Sequence, residues 1–262
     1  MRQGDNVVRQ RVQMTALPDF PMVEPGDDIA AFILAALDRA QESLNDGDVL
    51  VLAQKIVSKS ENRYAYLNDV TPSTDAKELA DYVDKDPRLV ELILRESVEV
   101  LRMRKGAIIV EHRNGYVHAN AGIDQSNIQS QAENPRVLLL PENPDASAAQ
   151  LRARLRELTG VNVAVIINDS AGRAWRNGVI GFALGTAGLV PLENRIGTRD
   201  LFGRALEITE VAVADEIAAA ASLMMGQAAE GAPVVLIRGA DISVSDVGSS
   251  ALIRAREQDL FR

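Results

Sequence analysis

Two short runs made wholly of apolar residues, Val49-Leu50-Val51-Leu52-Ala53 and Val163-Ala164-Val165-Ile166-Ile167, limit what this chain can become. Each has the length of a strand and no polar face, so both are predicted to lie in a sheet covered on its two sides by helices. The helices are legible too. Ile29, Ile33, Leu37, Ala40 and Leu44 form a stripe that predicts a helix over 27–44, capped by Asp27 or Asp28. Others are expected at 76–83, 88–95, 147–158 (closed by Gly160) and 212–225 (stopped by Gly226). Further strands are expected at 137–140 and 233–237. Segments 107–110 and 116–118 should form a hairpin around Asn114-Gly115, a pair that suits a type I′ turn. The polar stretch 60–75 and the Gly- and Arg-rich stretch 171–204 read mostly as loop, with packed elements around 179–189. The fold class is therefore α/β (mixed α+β), with mixed sheets, hairpins and crossover helices. It forms a domain over 1–242, followed by a C-terminal tail, 243–262, with room for a short helix.

Composition removes several functional classes. At 262 residues, 47% apolar and 25% charged, the chain can bury a core and is neither disordered nor disulfide-stapled. Lys and Arg number 28 against 37 Asp and Glu, and the net charge of −9 argues against a general nucleic-acid or anionic-membrane binder. Without cysteine there is no thiolate nucleophile and no cysteine metal site. The apolar runs are too short to span a bilayer, and the opening Met1-Arg2-Gln3-Gly4-Asp5 lacks a signal-peptide core, so a cytoplasmic location is expected.

The usual phosphate motifs, G-x-x-x-x-G-K-[ST] and a strand-linked G-x-G-x-x-G, are missing, as is the G-x-S-x-G elbow. His112 and His118 flank the hairpin turn and read as surface residues rather than bases. Two segments stand out instead. Ala119-Asn120-Ala121-Gly122-Ile123-Asp124-Gln125-Ser126-Asn127 combines small and amide residues with one carboxylate, which suits close backbone approach to a ligand, or equally a turn closed by Asp124. Asn168-Asp169-Ser170 leaves a buried strand at the place where α/β sheets bind ligands, though helix capping explains it as well. If Asp124 and Asp169 converge, they share a proton or a divalent cation, and all-oxygen donors favour Mg2+ or Mn2+ over Zn2+. Lys55, Lys59, Arg173, Arg176, Arg195, Arg199 and Arg204 lie nearby in sequence as phosphate partners or as solvated surface charges.

Taken in order, the blocks Leu17-Pro18-Asp19-Phe20 with Pro25-Gly26-Asp27-Asp28, Gly47 through Glu61, Ala119 through Asn127, Asn168 through Arg176, and Gly203-Arg204 through Gly226 resemble the coenzyme F420-0:L-glutamate ligase (F420 γ-glutamyl ligase) family. The resemblance covers roughly 15–240. It implies two intertwined subdomains, a homodimer, and ligation of L-glutamate to the phospholactyl carboxylate of coenzyme F420-0. GTP would activate that carboxylate as an acyl phosphate, releasing GDP and phosphate, and further glutamates would add through γ-carboxylates. It implies GTP contacts at Leu17, Pro18, Asp19, Phe20, Gln54, Lys59, Asn127, Met225, Gly226, Gln227 and Ala228. Asp124 and Asp169 would be catalytic and would bind Mg2+ or Mn2+ together with Ser170 and Gln227, with K+ as an accessory ion. Gln54 stands where relatives often carry a small hydroxyl residue, and His118 where many carry cysteine. The alternative is a metal-dependent nucleotide- or phosphate-binding regulatory protein of the same fold without ligase activity.

Overall fold

The computed structural model describes residues 11–260, so the leader reading of Met1 to Asp5 and the last two tail residues lie outside the described residues. In chain order, β1 (Gln13–Ala16) leads to α1 (Ile29–Arg39), β2 (Val49–Ala53) and α2 (Gln54–Ser60). Then come β3 (Tyr64–Tyr66), α3 (Thr74–Val83), α4 (Pro87–Arg95), β4 (Ser97–Arg104), β5 (Ala107–His112), β6 (Val117–Ala119) and β7 (Arg136–Leu138). The chain continues through α5 (Pro144–Thr159), β8 (Ala164–Arg173), β9 (Arg176–Ala187), β10 (Glu193–Asn194), β11 (Glu210–Val211), α6 (Val213–Met225) and β12 (Val234–Arg238).

The two apolar runs are neighbours. The main sheet has the order β1-β12-β2-β8-β9, with β2 and β8 parallel (Val49 opposite Ala164) and the other pairs antiparallel. Alternation splits each central strand between two cores. Leu50, Leu52, Val165 and Ile167 face α1 and α5, while Val49, Val51, Ala164 and Ile166 face Ala214, Ala218 and Ala221 of α6. A third core, made by α3, α4, β5 and β7, belongs to a unit inserted in the crossover between β2 and β8. The mixed α+β class is thus as expected from the sequence.

Several local expectations are corrected. The first helix stops at Arg39, with Asp28 Oδ1 accepting from the N–H groups of Ala30 and Ala31; Gln41, with φ of 54°, cannot continue it. Segment 60–75 contains β3. Segment 171–204 is strand over about half its length, including the packed elements expected around 179–189: β8 and β9 form a long antiparallel pair whose glycines make the composition look like loop. The hairpin between β5 and β6 exists, but its turn is not type I′. Of Asn114 and Gly115 only Gly115 has positive φ (91°), and the Gly115 N–H donates to the His112 carbonyl, 2.7 Å. The helix at 212–225 packs its small side chains on its own sheet. The C-terminal segment is also held: the Ser249 N–H donates to Asp145 and its hydroxyl to the Leu184 carbonyl. Among the described residues no helix is long and apolar enough to cross a membrane.

Candidate functional site

Strand direction gathers the candidate residues. The chain leaves β1 at Leu17 and β2 at Gln54, and it enters β12 from 226–233. Because Ala16 pairs with Val235, Val234 with Leu52, and Ala53 with Asn168, all these points and the middle of β8 lie at one end of the sheet. This is the edge where open α/β sheets bind ligands.

At that edge Leu17 is buried and its N–H donates to the Val234 carbonyl (2.9 Å). Asp19 takes φ of 51°, its carbonyl accepting from Arg39, while the Phe20 ring packs edge-on against Phe32. Gln54 opens the short helix α2, where its side-chain oxygen accepts from Ser58. One turn on, Lys59 is only 7% exposed, and its ammonium donates to the Asn127 carbonyl at 2.9 Å. It forms no ion pair among the described residues. Burial, with Lys55 and Arg136 nearby, outweighs the pull of Glu24 and lowers its pKa. Asn127 reaches further, its amide donating to the Ala228 carbonyl (2.9 Å). One polar chain therefore ties α2, the 123–127 loop and the segment after α6.

The 123–127 loop owes its position to an unusual entry. Asn120, Ala121 and Gly122 all have positive φ, Ala121 is fully buried, and a Cβ on Gly122 would meet Leu140 at 2.7 Å. Asp124 is then pinned to β7 by two backbone hydrogen bonds with Leu138. Its carboxylate lies 2.8 Å from Lys55 and accepts from the Ser126 N–H at 2.7 Å, so its pKa falls below the usual range although burial pushes it up. The turn geometry allowed for Asp124 is thus present, but around a carboxylate that also holds a lysine.

Asp169 is presented by a bulge. The register shifts between Ile167 and Asn168, so that Leu184 of β9 is skipped, and its carbonyl accepts from both the Tyr116 and Ser249 hydroxyls. Asp169 then faces His118 Nε2 at 3.2 Å. Here the reading of the histidines is corrected: His112 and His118 are both buried, His118 against Phe182 with ring centroids 5.7 Å apart. Burial disfavours charge on His118, yet the Asp169 carboxylate, helped by the Asp124 charge, raises its pKa above 6.5. His118 therefore pairs with Asp169 and also feels the charge of Asp124. Missing it was natural, since only the register of β5, β6 and β8 turns a hairpin histidine inward.

Ser170 and Gln227 lie on the other face. Alternation turns Asn168 and Ser170 toward α6, where Asn168 Nδ2 lies 3.7 Å from the Met225 sulfur and Gln227 donates to Ser222. The four expected metal ligands thus divide between two faces of β8, and among the described residues no three His, Asp or Glu side chains cluster as one metal site. The donor chemistry nonetheless fits a hard divalent cation: two carboxylates, a hydroxyl and an amide oxygen, with Lys55 and His118 balancing the aspartates that such an ion would neutralise. Of the distal arginines, Arg195 pairs with Glu193, Arg204 with Asp200 (3.3 Å), and Arg199 donates to the Gly203 carbonyl, which leaves Arg173 and Arg176 as the exposed cations of the β8–β9 tip. A cleft of about 900 Å³ beside α5 is lined by none of the candidate residues.

Comparison with known proteins identifies the family. A family model described as F420-0:Gamma-glutamyl ligase matches residues 19–239. The coenzyme F420:L-glutamate ligase of Methanothermobacter thermautotrophicus is 48% identical over 253 residues, covering 96% of this chain and 99% of that protein. The Methanopyrus kandleri protein of the same name is 47% identical (92% and 93% covered), and that of Methanocaldococcus jannaschii 41% (97% and 98%).

Proposed function

The chain belongs to the F420-0:gamma-glutamyl ligase family and is a ligase of coenzyme F420 and L-glutamate, and we propose that it uses GTP to activate the phospholactyl carboxylate of F420-0 before the glutamate amine attacks. The observation that carries the nucleotide reading is Lys59: a buried ammonium with no carboxylate partner among the described residues, at the sheet edge, held by the same loop that carries Asp124. A desolvated cation of this kind is poised for an anion, and phosphate oxygens accept charge-assisted hydrogen bonds from lysine well. Leu17 to Phe20, Gln54, Asn127 and the 225–228 segment would line the nucleotide around it.

Asp124 and Asp169 would hold Mg2+ or Mn2+, with Ser170 and Gln227 adding oxygen donors from the α6 face. When bound, the ion neutralises phosphate charge and polarises the transferred group. The protein's own share is positional. Lys59 orients the phosphate chain, the pinned 123–127 loop fixes one carboxylate and the β8 bulge the other, so that nucleotide and acceptor carboxylate meet in line. The γ-phosphoryl group passes to the carboxylate oxygen with GDP leaving, and the amine then displaces phosphate to form the amide. We infer a homodimer as well, supported by the exposed apolar residues Leu201 (99%), Phe202 (85%) and Ile208 (87%) between β10 and β11.

The test is phosphate release from GTP with F420-0, L-glutamate and Mn2+, alongside mass spectrometry of the product. Release should require both co-substrates and yield the glutamyl adduct. Asp124→Asn and Asp169→Asn should each abolish it while the chain still folds, the thermal melt falling only modestly as the contacts with Lys55 and His118 lose charge, because each removes charge and almost no volume. Full activity in excess chelator, or GTP cleavage indifferent to the co-substrates, would refute the mechanism.

A further inference from the structure

Immediately past Asp169 and Ser170, β8 lines a second hollow of about 340 Å³. Ala171 and Gly172 continue the strand along it, and Phe182, the cross-strand partner of Asp169 and neighbour of His118, forms part of its floor. None of the candidate nucleotide residues lines it. It is therefore next to the reacting edge but separate from the nucleotide face.

Its charges form a pattern. Arg173 lies at the end of β8, Arg254 in the C-terminal segment, and Asp215 in the first turn of α6. Asp215 accepts one hydrogen bond, from the Ala183 N–H at 2.8 Å, and no cation faces it among the described residues. Burial consequently raises its pKa. Arg173 and Arg254 make no ion pair among the described residues. Asp259, also at the rim, lies in the field of Arg256. Two free guanidinium groups and one uncompensated carboxylate complement a molecule with two carboxylates and one ammonium, and the volume suits a small amino acid rather than a polycyclic acceptor.

Resting on the ligase reading above, we propose that this hollow is the L-glutamate subsite, with Arg173 and Arg254 taking the two carboxylates and Asp215 the α-ammonium. Asp215 is fixed on the Ala183 N–H, and Ala183 pairs with Asn168, the residue before Asp169, so the α-nitrogen would sit at the Asp169 end of the hollow rather than at the Arg173 end.

Steady-state kinetics of the full chain test this with Arg173→Gln, Arg254→Gln and Asp215→Asn, and with Arg156→Gln in the cleft beside α5 as control. Losing one charge-assisted contact should raise the KM for L-glutamate about tenfold or more. The KM values for GTP and F420-0 should stay within about twofold of wild type, as should every parameter of the control. Glutarate, which lacks the amine, supplies the charge-specific readout. As a competitor it should weaken with Arg173→Gln and Arg254→Gln, and be unaffected or strengthened with Asp215→Asn. An unchanged glutamate KM in the three variants, a shift confined to F420-0, or equal weakening of glutamate and glutarate by Asp215→Asn would each overturn the assignment. Saturation-transfer NMR of L-glutamate with GTP and Mg2+ needs no turnover: signal in wild type and its loss in Arg254→Gln support the hollow, and silence in wild type refutes it. An enzyme that binds glutamate this way yet forms no amide would instead defeat the ligase mechanism.

Discussion

Lys59 and Glu96 are both buried and opposite in charge, and they behave differently because their partners differ. Lys59 forms no ion pair among the described residues, Glu24 acting on it only at a distance, and the proposed GTP contact rests on that need for an anion. Lys59→Ala should weaken GTP binding by about 1.5–3 kcal/mol, the range for a hydrogen bond to a charged group, as measured by calorimetric titration, with little effect on folding. Unchanged affinity would shift the role to Lys55. Glu96 has its counter-ions built in, Arg63 at 3.2 Å and Arg113 at 3.3 Å, with the His112 ring 3.6 Å away. Burial pushes its carboxyl up, but His112, Arg113 and Arg63 together bring it below 4.5. The unfolded chain thus takes up this proton at higher pH than the folded protein does. The stabilisation is complete above about pH 4.5 and is lost as pH falls through the folded value. Melting curves should show wild type well above Glu96→Gln at neutral pH, with the gap narrowing in acid. Equal gaps at all pH values would mean that Glu96 acts through shape alone.

Elements were legible where backbone chemistry is local. Asp28 and Gly160 cap helices as their types predict, whereas α5 begins at Pro144, capped by Asn143, ahead of the expected 147; the apolar runs at β2 and β8 declare themselves by composition alone. Beyond Ile167 the β8–β9 pair was legible only as packed elements around 179–189, because its residues follow contacts made by other elements. Gly185 sits so close to α5 that a Cβ would meet the Pro144 backbone at 2.3 Å, and Gly181 lies against α6 in the same way. These glycines are there for packing, not for turns, and single-sequence reading cannot distinguish the two. Gly185→Ala should therefore destabilise by about 1–3 kcal/mol in urea unfolding, as overpacked sites do, whereas Gly172→Ala, with open space around it, should change stability little. Similar values for both would contradict this packing. Of the candidate site, Asp124, Asp169 and Lys59 were singled out from the sequence, but His118 was not, since its contact with Asp169 arises from strand register.

The whole molecule is closed by strands from opposite ends of the described chain. β12 lies between β1 and β2, so Met14 pairs with Ile237 across more than 220 residues of sequence, while the inserted unit and α5 complete contacts of much shorter range. Contacts so distant along the chain form late, after the more local units have given their share of stability. Pulsed hydrogen exchange during refolding should show the amides of α3, α4, β4 and β5 protected before those of β1 and β12; simultaneous protection would argue for one cooperative step. The order matters during synthesis. Until residue 238 has left the ribosome, Leu17 has no Val234 to hold it and the 225–232 segment has no strand to lead into. A chain stalled before that point would present its glutamate-side strand without a nucleotide edge, so incomplete copies should consume no GTP, and synthesis itself would act as the check that only finished molecules become active.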